Sequence, residues 1–381
     1  MQCVVPTILL GSILVASGTS ADLVPSFQGL GVLPGGNNSW AYGVSADGTT
    51  VVGTSQSDNP YVQAFRWTAE QGMVGLGWLP GGGHTTRGTR VSADGSVVVG
   101  NAWYVGECTI THAFRWTPDD GVVDLGTLTG LCGQSFGHGV SGDGSVVVGS
   151  SSAEIVGTAP YRWTPEEGMV TLSGVGGGGA TDVSADGTVV VGGRPHGALS
   201  EAFWWTEETG PVGLGDLPGG AFFSSANAVS ADGEVVVGES DSHKRTEAFR
   251  WTEDQGMVGL GVLWDYQGYG RSHALDTNAD GTVVVGDGVI DVYGNTAAFI
   301  WDEQTDMRRL QDVLETEYGL DLDGWHLLEA KGVSDDGLTI VGYGDGPAGR
   351  REAWVARVPE PSTLLLIAMC ALGMPRARSR L

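Results

Sequence analysis

Positive charge is scarce in this chain: 19 Lys and Arg stand against 45 Asp and Glu, a formal net charge of -26 over 381 residues. The deficit deepens in the body, because removing Glu360 and the three arginines at the C-terminal end changes -26 to -28. A surface of that sign repels phosphate backbones, which excludes nucleic acid as a partner. Cysteine is scarce as well. Of four, Cys3 and Cys370 lie in the end segments, and Cys108 and Cys132 in the body are expected to form one disulfide. The first 21 residues carry no charge at all. An apolar stretch from Val4 to Val15 gives way there to small polar residues, which reads as a secretory signal peptide over residues 1–21. Cleavage is expected after Thr19-Ser20-Ala21 or after Ala16-Ser17-Gly18, although the usual basic residue before the apolar core is missing.

Long hydrophobic runs are also lacking. The apolar run at the other end, Leu364 to Met374, makes a helix of only about 16 Å against a hydrocarbon core of roughly 30 Å. Such a segment is a poor permanent anchor. It follows Pro359, Glu360 and Pro361 and precedes Arg376, Arg378 and Arg380, which should hold that end in the cytoplasm during translocation. This three-part order, over residues 359–381, resembles the PEP-CTERM sorting signal of bacteria that make exopolysaccharide. The resemblance implies an exosortase-type membrane protease as partner, transient membrane association through a short transmembrane helix, and release or transfer of the body to the cell surface. A single-span tail anchor is the alternative.

What the body has in abundance is repetition. Val44-Ser45-Ala46-Asp47-Gly48 recurs from Val91, Val140, Val183 and Val229, and Asp280-Gly281 and Asp336-Gly337 mark two degenerate copies, making seven at a period of 43 to 56 residues. A second phrase, Ala64-Phe65-Arg66-Trp67-Thr68, returns at Ala113 and Ala248, with variants around Tyr161, Ala202, Ala298 and Ala353. A third is typified by Gly72-Met73-Val74-Gly75-Leu76-Gly77. These phrases resemble the extracellular HAF repeat family, whose name is spelled here by His112-Ala113-Phe114. That family is defined by its repeat and implies no activity.

Each phrase is rich in Val, Phe and Trp and bounded by Gly, Pro or Asp-Gly, which predicts short strands, four to a unit. Asp-Gly is a favoured hairpin turn, so the first phrase and the valine run after it should pair antiparallel. Seven such sheets predict an all-β, seven-bladed propeller over residues 22–358. The body begins with the third phrase alone, Gly29 to Leu33, and stops after the second, Glu352 to Val355; pairing the two completes the last blade. The Asp-Gly phrase is then innermost, which suits its small residues. An open β-solenoid is the alternative, but a stack of that kind has no use for complementary half-units and wants capping repeats instead.

In a four-stranded meander alternate connections share a face. The seven turn aspartates therefore join the acidic turns after each Trp-Thr, such as Asp119-Asp120, Glu166-Glu167 and Glu207-Glu208, in a ring of carboxylates. Connections of variable length, Asn101 to Thr111, Glu239 to Glu247 and Trp264 to Ser272, fall on the opposite face with all seven histidines at it or its edge. Binding is expected on that face. The candidate ligand-binding residues there are Trp103, Tyr104, Trp264, Tyr266, Tyr269 and His273. The histidines lack metal-ligand spacing, and the turn aspartates suit turn geometry, with calcium as the alternative. The metal therefore stays unassigned, and no cofactor is expected. Gly133-Gln134-Ser135-Phe136-Gly137 matches a nucleophile-elbow pattern but lacks the strand-turn-helix setting, so no catalytic residue is assigned. The expectation is an exported surface or matrix protein, not an enzyme, that binds exopolysaccharide or a surface protein. A polysaccharide lyase or glycosidase on a propeller is the alternative.

Overall fold

In six of the seven repeats the Asp-Gly phrase folds by the same local chemistry, and in the sixth Asn278 takes the place of the serine. In the first, the Ser45 hydroxyl donates to Asp47 Oδ1 at 2.7 Å and accepts the Thr50 N–H at 2.9 Å, while Asp47 Oδ1 accepts the Thr49 N–H at 3.0 Å. Gly48 follows at φ 70°, a left-handed conformation that an L side chain resists. The turn reverses strand Ser39–Val44 onto strand Thr50–Gln56, and strands Val62–Thr68 and Gly72–Gly75 complete a four-stranded antiparallel sheet. The computed structural model describes residues 24–358, except 59–60, 81–82, 106–108, 131, 154–156 and 265–269. Residues Pro25–Val358 form one compact unit. The two terminal segments make up a second, which apart from Val24 lies outside the described residues.

Seven such sheets make a seven-bladed β-propeller. We number the blades from the sheet containing Ser39–Val44 and call the strands of each inner, second, third and outer. In blade 7 the outer strand comes from the other end of the chain. Ser26–Gly31 pairs antiparallel with Arg351–Arg357, Phe27 opposite Ala356 and Gly29 opposite Trp354, as the half-units predict. The pairing begins at Ser26, three residues earlier than the apolar pattern suggests.

Second strands are buried on both faces because every blade lies between two others. Val51 packs with Phe65 against Val341 and Ala353 of blade 7, whereas Val52 packs with Ala64 against Val98 and Phe114 of blade 2. Hydroxyls stitch blade to blade. Thr86 Oγ1 accepts the Ala64 N–H and donates to Gly77 O, and Ser135, Ser224 and Ser272 repeat this at later junctions. The closing junction uses the same device, with Ser39 Oγ accepting the Ala353 N–H at 3.0 Å and donating to Gly31 O at 2.6 Å. Chain closure is thereby made like any other contact.

A helical turn, Leu310–Asp312, running on as the π-helical Val313–Glu317, joins blades 6 and 7. It accounts for the longest repeat interval. Its Leu310, Val313 and Leu314 are buried with Leu322, Trp325 and Trp354 in a cluster that has no counterpart in the other repeats.

Every inner strand slips register just before its turn, for example between Ala41 and Gly43 and between Ala180 and Asp182, and the inner strands of blades 5 and 7 slip a second time nearer their start. The extra residue of such a bulge is re-aimed. Here it stitches inner strands together: Thr89 donates to Gly137 O at 2.9 Å, Thr181 to Ala226 O at 2.9 Å and Asn227 to Ala274 O at 2.8 Å. Beyond the bulge the third residues of the turn phrases close a ring of backbone bonds. Ala46 N–H donates to Ala93 O, and the chain of donors continues through Gly142, Ala185, Ala231, Ala279 and Asp335 back to Ala46 O, at 2.9 to 3.2 Å.

Candidate functional site

Inner strands line the central channel, so residues at one register position form a layer across it. Just inside the turns that layer is Gly43, Arg90, Gly139, Asp182, Ala228, Asp276 and Gly332. Four small residues leave room for three charged ones. Arg90 of blade 2 reaches across the channel, its guanidinium donating to the carbonyls of Tyr42 at 3.0 Å, Lys331 at 3.4 Å and Leu275 at 3.4 Å, and to Asp276 Oδ1 at 3.5 Å. Asp276 also accepts the Val333 N–H at 2.9 Å, and Asp182 accepts the Val229 N–H at 3.1 Å. Between this layer and the ring of backbone bonds lies a cavity of about 110 Å³. Burial pushes the Asp182 carboxyl up to about 6 and raises Asp276 as well, with Arg90 opposing both. One cation thus serves two carboxyls, both of which burial makes easier to protonate than an exposed aspartate.

The variable-face mouth of the channel has a different layer: Trp40, Arg87, Phe136, Gly179, Ser225, His273 and Glu329. His273 lies between two carboxylates, its Nε2 3.4 Å from Glu239 of blade 5 and its Nδ1 3.3 Å from Asp287 on its own blade. The hydrogen bond to Asp287 and the surrounding carboxylates raise its pKa, so the ring favours the imidazolium form. Burial raises Glu239. One blade on, the Tyr343 phenol donates to Glu329 Oε1, and Lys331 Nζ lies 2.6 Å from Glu329 Oε2. Burial and that carboxylate keep the phenol protonated. The mouth therefore combines an imidazole biased toward its charged form, a neutral phenol and carboxylate acceptors beside half-buried Trp40 and Phe136, a set suited to hydroxyl-rich ligands and to proton transfer. Among the described residues no three His, Cys, Asp or Glu side chains converge to hold a metal ion.

The residues expected to bind ligand are only partly brought together. His273 joins the mouth cluster. Trp103 stands on the variable face, 50% exposed, but in a strand and not a loop: the blade 2 hairpin continues through Trp103 opposite Thr111 and Tyr104 opposite Ile110. Trp264 is half-buried before blade 6, and Tyr266 and Tyr269 lie outside the described residues, as do Cys108 and the whole sorting segment from Pro359 to Arg380. Cys132 is disulfide-bonded. Among the described residues no helix is long and apolar enough to cross a membrane.

The gathering of all seven histidines at the variable face needs correction. His112 is buried inside blade 2 with Nδ1 2.8 Å from Asp124, which in turn accepts the Gly126 N–H. The same position in blades 5 and 7 is Glu247 and Glu352, which accept the corresponding N–H of Gly261 and Gly31. The histidine of the HAF phrase thus latches the outer strand and is not part of a site. His138 is buried as well, bonded to Ala180 O, and burial lowers its pKa. The recurring arginines stitch blades: Arg66, Arg115 and Arg250 donate to the turn carbonyls of Gly95, Gly144 and Gly281, and in blade 4 Trp204 replaces them on Gly233.

No protein-family model matches this sequence, and no curated protein does. Solved structures are similar. An oligogalacturonate lyase from Vibrio parahaemolyticus is 13% identical with a TM-score of 0.54, over 88% of this chain and 98% of that one. TolB from Acinetobacter baumannii is 11% identical with a TM-score of 0.45, over 69% of this chain and 66% of its own, just under two thirds of its length. A putative TolB from Agrobacterium tumefaciens is 14% identical with a TM-score of 0.42, over 85% and 91%. At such identities the likeness shows the fold. It also overturns the expectation that the chain is not an enzyme, because a lyase carries this architecture over nearly the whole chain. Regular repeats and sparse catalytic motifs do not exclude catalysis on a propeller.

Proposed function

We propose that this chain is an exported, surface-sorted propeller that binds an extracellular polysaccharide at the variable-face mouth of its channel. The observation that carries the reading is the convergence of His273, Glu239, Asp287, Glu329 and Tyr343 from three blades on one rim, where sugar hydroxyls would find donors and acceptors already oriented. Export and sorting by an exosortase-type protease rest on the resemblance of the two end segments. The acidic face offers little competition. Its turn aspartates commit Oδ1 to neighbouring hydroxyls and N–H groups, as Asp94 does with Ser92 and Ser96.

The test is calorimetric titration of the mature protein with the producer's own exopolysaccharide, with and without calcium. Replacing His273 by Ala or Glu329 by Gln should weaken binding about tenfold, the worth of one charge-assisted hydrogen bond. Replacing Glu207 and Glu208 by Gln should change nothing. Loss from the acidic pair alone would move function to the other face.

A second reading is chemistry on the same polymer. The Tyr343 phenol beside the Glu329 carboxylate, one blade from His273, supplies proton donors and acceptors within one mouth, and the lyase of similar fold is named for oligogalacturonate. Unsaturated chain ends would report elimination and new reducing ends hydrolysis. Either must disappear in the Tyr343→Phe variant for this reading to stand.

A further inference from the structure

Above the mouth cluster, the top of blade 5 and the start of blade 6 enclose a cleft of about 480 Å³. Arg245 and Arg271 line it, with Asp241, Ser242 and Thr246. Its volume is within the range of about 300–1,000 Å³ typical of small-ligand sites. We propose that this cleft is a subsite for a carboxylate-bearing sugar, whose carboxylate Arg245 and Arg271 grip while the adjoining unit rests on the His273 cluster. The proposal rests on the polysaccharide reading above and names its substrate class, an acidic glycan.

Strand geometry makes cleft and mouth one surface. Side chains two residues apart on a strand share a face. Asp241 follows Glu239 by two on the second strand of blade 5, and Arg271 precedes His273 by two at the start of the inner strand of blade 6, where its carbonyl accepts the Val289 N–H. Glu239 and His273 meet at 3.4 Å, so the pair above them faces the same gap.

Charge is the second argument. The body carries -28 once the tail is set aside, and an anionic polymer is repelled from most of it. Among the described residues that line the cleft, two arginines stand with one carboxylate, Asp241, which already accepts a hydrogen bond from Thr246. Among the described residues the Arg271 guanidinium has no hydrogen bond or ion pair, whereas neighbouring Lys244 is taken up by Glu247 at 3.4 Å. A guanidinium group matches a carboxylate in shape as well as sign.

The backbone adds an independent observation. Arg245 follows the tight turn at His243 and Lys244 and has φ 80°, a left-handed value that costs a non-glycine residue of order 1–3 kcal/mol. Gly would fit there without strain. An arginine held in a glycine conformation at the lip of a cleft points to a use for its side chain.

The strain also supplies a variant that should fold. Arg245→Gly removes the charge and relieves the backbone, and Arg271→Ala alters an exposed position. Using the mature protein, oligogalacturonate is titrated against a neutral glucan of similar length. Wild type should prefer the acidic oligomer, each variant should lose about tenfold in affinity for it and the double variant about a hundredfold, while Arg271→Lys keeps part. Oligogalacturonate bound equally by wild type and the double variant overturns the subsite. If His273→Ala then abolishes binding while the double variant does not, the mouth reading survives alone. If wild type binds neither polymer nor the native exopolysaccharide, both readings fall.

Discussion

Asp182 and Asp186 lie four residues apart in one repeat, and the fold shifts them in opposite directions. Asp186 sits in the turn, where hydrogen bonds from Ser184 and Thr188 stabilise its charge and lower its pKa. Asp182 faces the channel, where burial disfavours the charge and pushes it up to about 6. Asp280 and Asp276 repeat the contrast in blade 6. One residue type thus does two jobs. At the rim the carboxylate is a local clamp, made in the same way in every repeat. In the channel it is a partner for a single guanidinium from another blade, so its state depends on the closed ring.

Removing Arg90 should expose that difference most strongly. Arg90→Met leaves Asp182 and Asp276 buried without their cation, which should cost about 3–5 kcal/mol at pH 8 by urea denaturation. Without the arginine both carboxyls rise further above their unfolded values, so the loss should shrink at pH 5 as they take up protons. An equal loss at both pH values would show that Arg90 serves packing and not charge.

A smaller effect of opposite sign is expected from Asp182→Asn. A carboxyl raised above its unfolded value stabilises below that value, near 4, and loses this contribution as pH rises through about 6. Asn keeps an acceptor for the Val229 N–H and leaves Arg90 paired with Asp276 alone. The variant should therefore gain about 1–2 kcal/mol over wild type at pH 8 and nothing at pH 4. A variant less stable at pH 8 would mean that Arg90 needs both carboxylates.

The smallest change is expected at the rim. Asp186→Ala removes the hydrogen bonds from Ser184 Oγ, Thr188 N–H and Thr188 Oγ1 in one turn of seven and should cost about 1 kcal/mol at pH 7. Because the pKa of Asp186 is lowered on folding, its stabilisation is present above the unfolded value and is lost as pH falls through the folded one. The gap between variant and wild type should narrow in melts recorded at progressively lower pH, beneath the unfolded value near 4.

Much of this architecture is legible from the repeats. Asp-Gly turns, valine runs and the half-units at Gly29 and Glu352 predict blade count, strand order and seam, because each is a local signal copied seven times. The channel layer is not legible in that way. Arg90, Asp182 and Asp276 are departures from a column of small residues in repeats 2, 4 and 6, and only placing the repeats side by side by register sets the three together. Glu239, Asp287 and Tyr343 likewise stand where other blades have Thr54, Asn101, Ser150 and Gly193. His112 misleads for the converse reason: it reads as a surface residue because its partner, Asp124, belongs to a different phrase. The buried turn at Leu310–Glu317 is masked by the repeat pattern itself, which carries on past it.

The backbone hoop from Ala46 to Asp335 has neither first nor last member, and every N–H in it points the same way round the axis. It is indifferent to where the polypeptide starts. The two ends of the propeller body meet at the outer side of blade 7, away from the hoop, so a permuted chain reopened at the exposed Gly197-Ala198 turn would leave the hoop whole. Reopening at Asp186-Gly187 would cut beside Ala185 and release two links at once, the one it donates and the one it accepts. Tolerance to new termini should therefore divide by face, generous on the variable side and poor on the acidic one, which makes the acidic rim the hinge-free girdle on which the divergent blades are mounted.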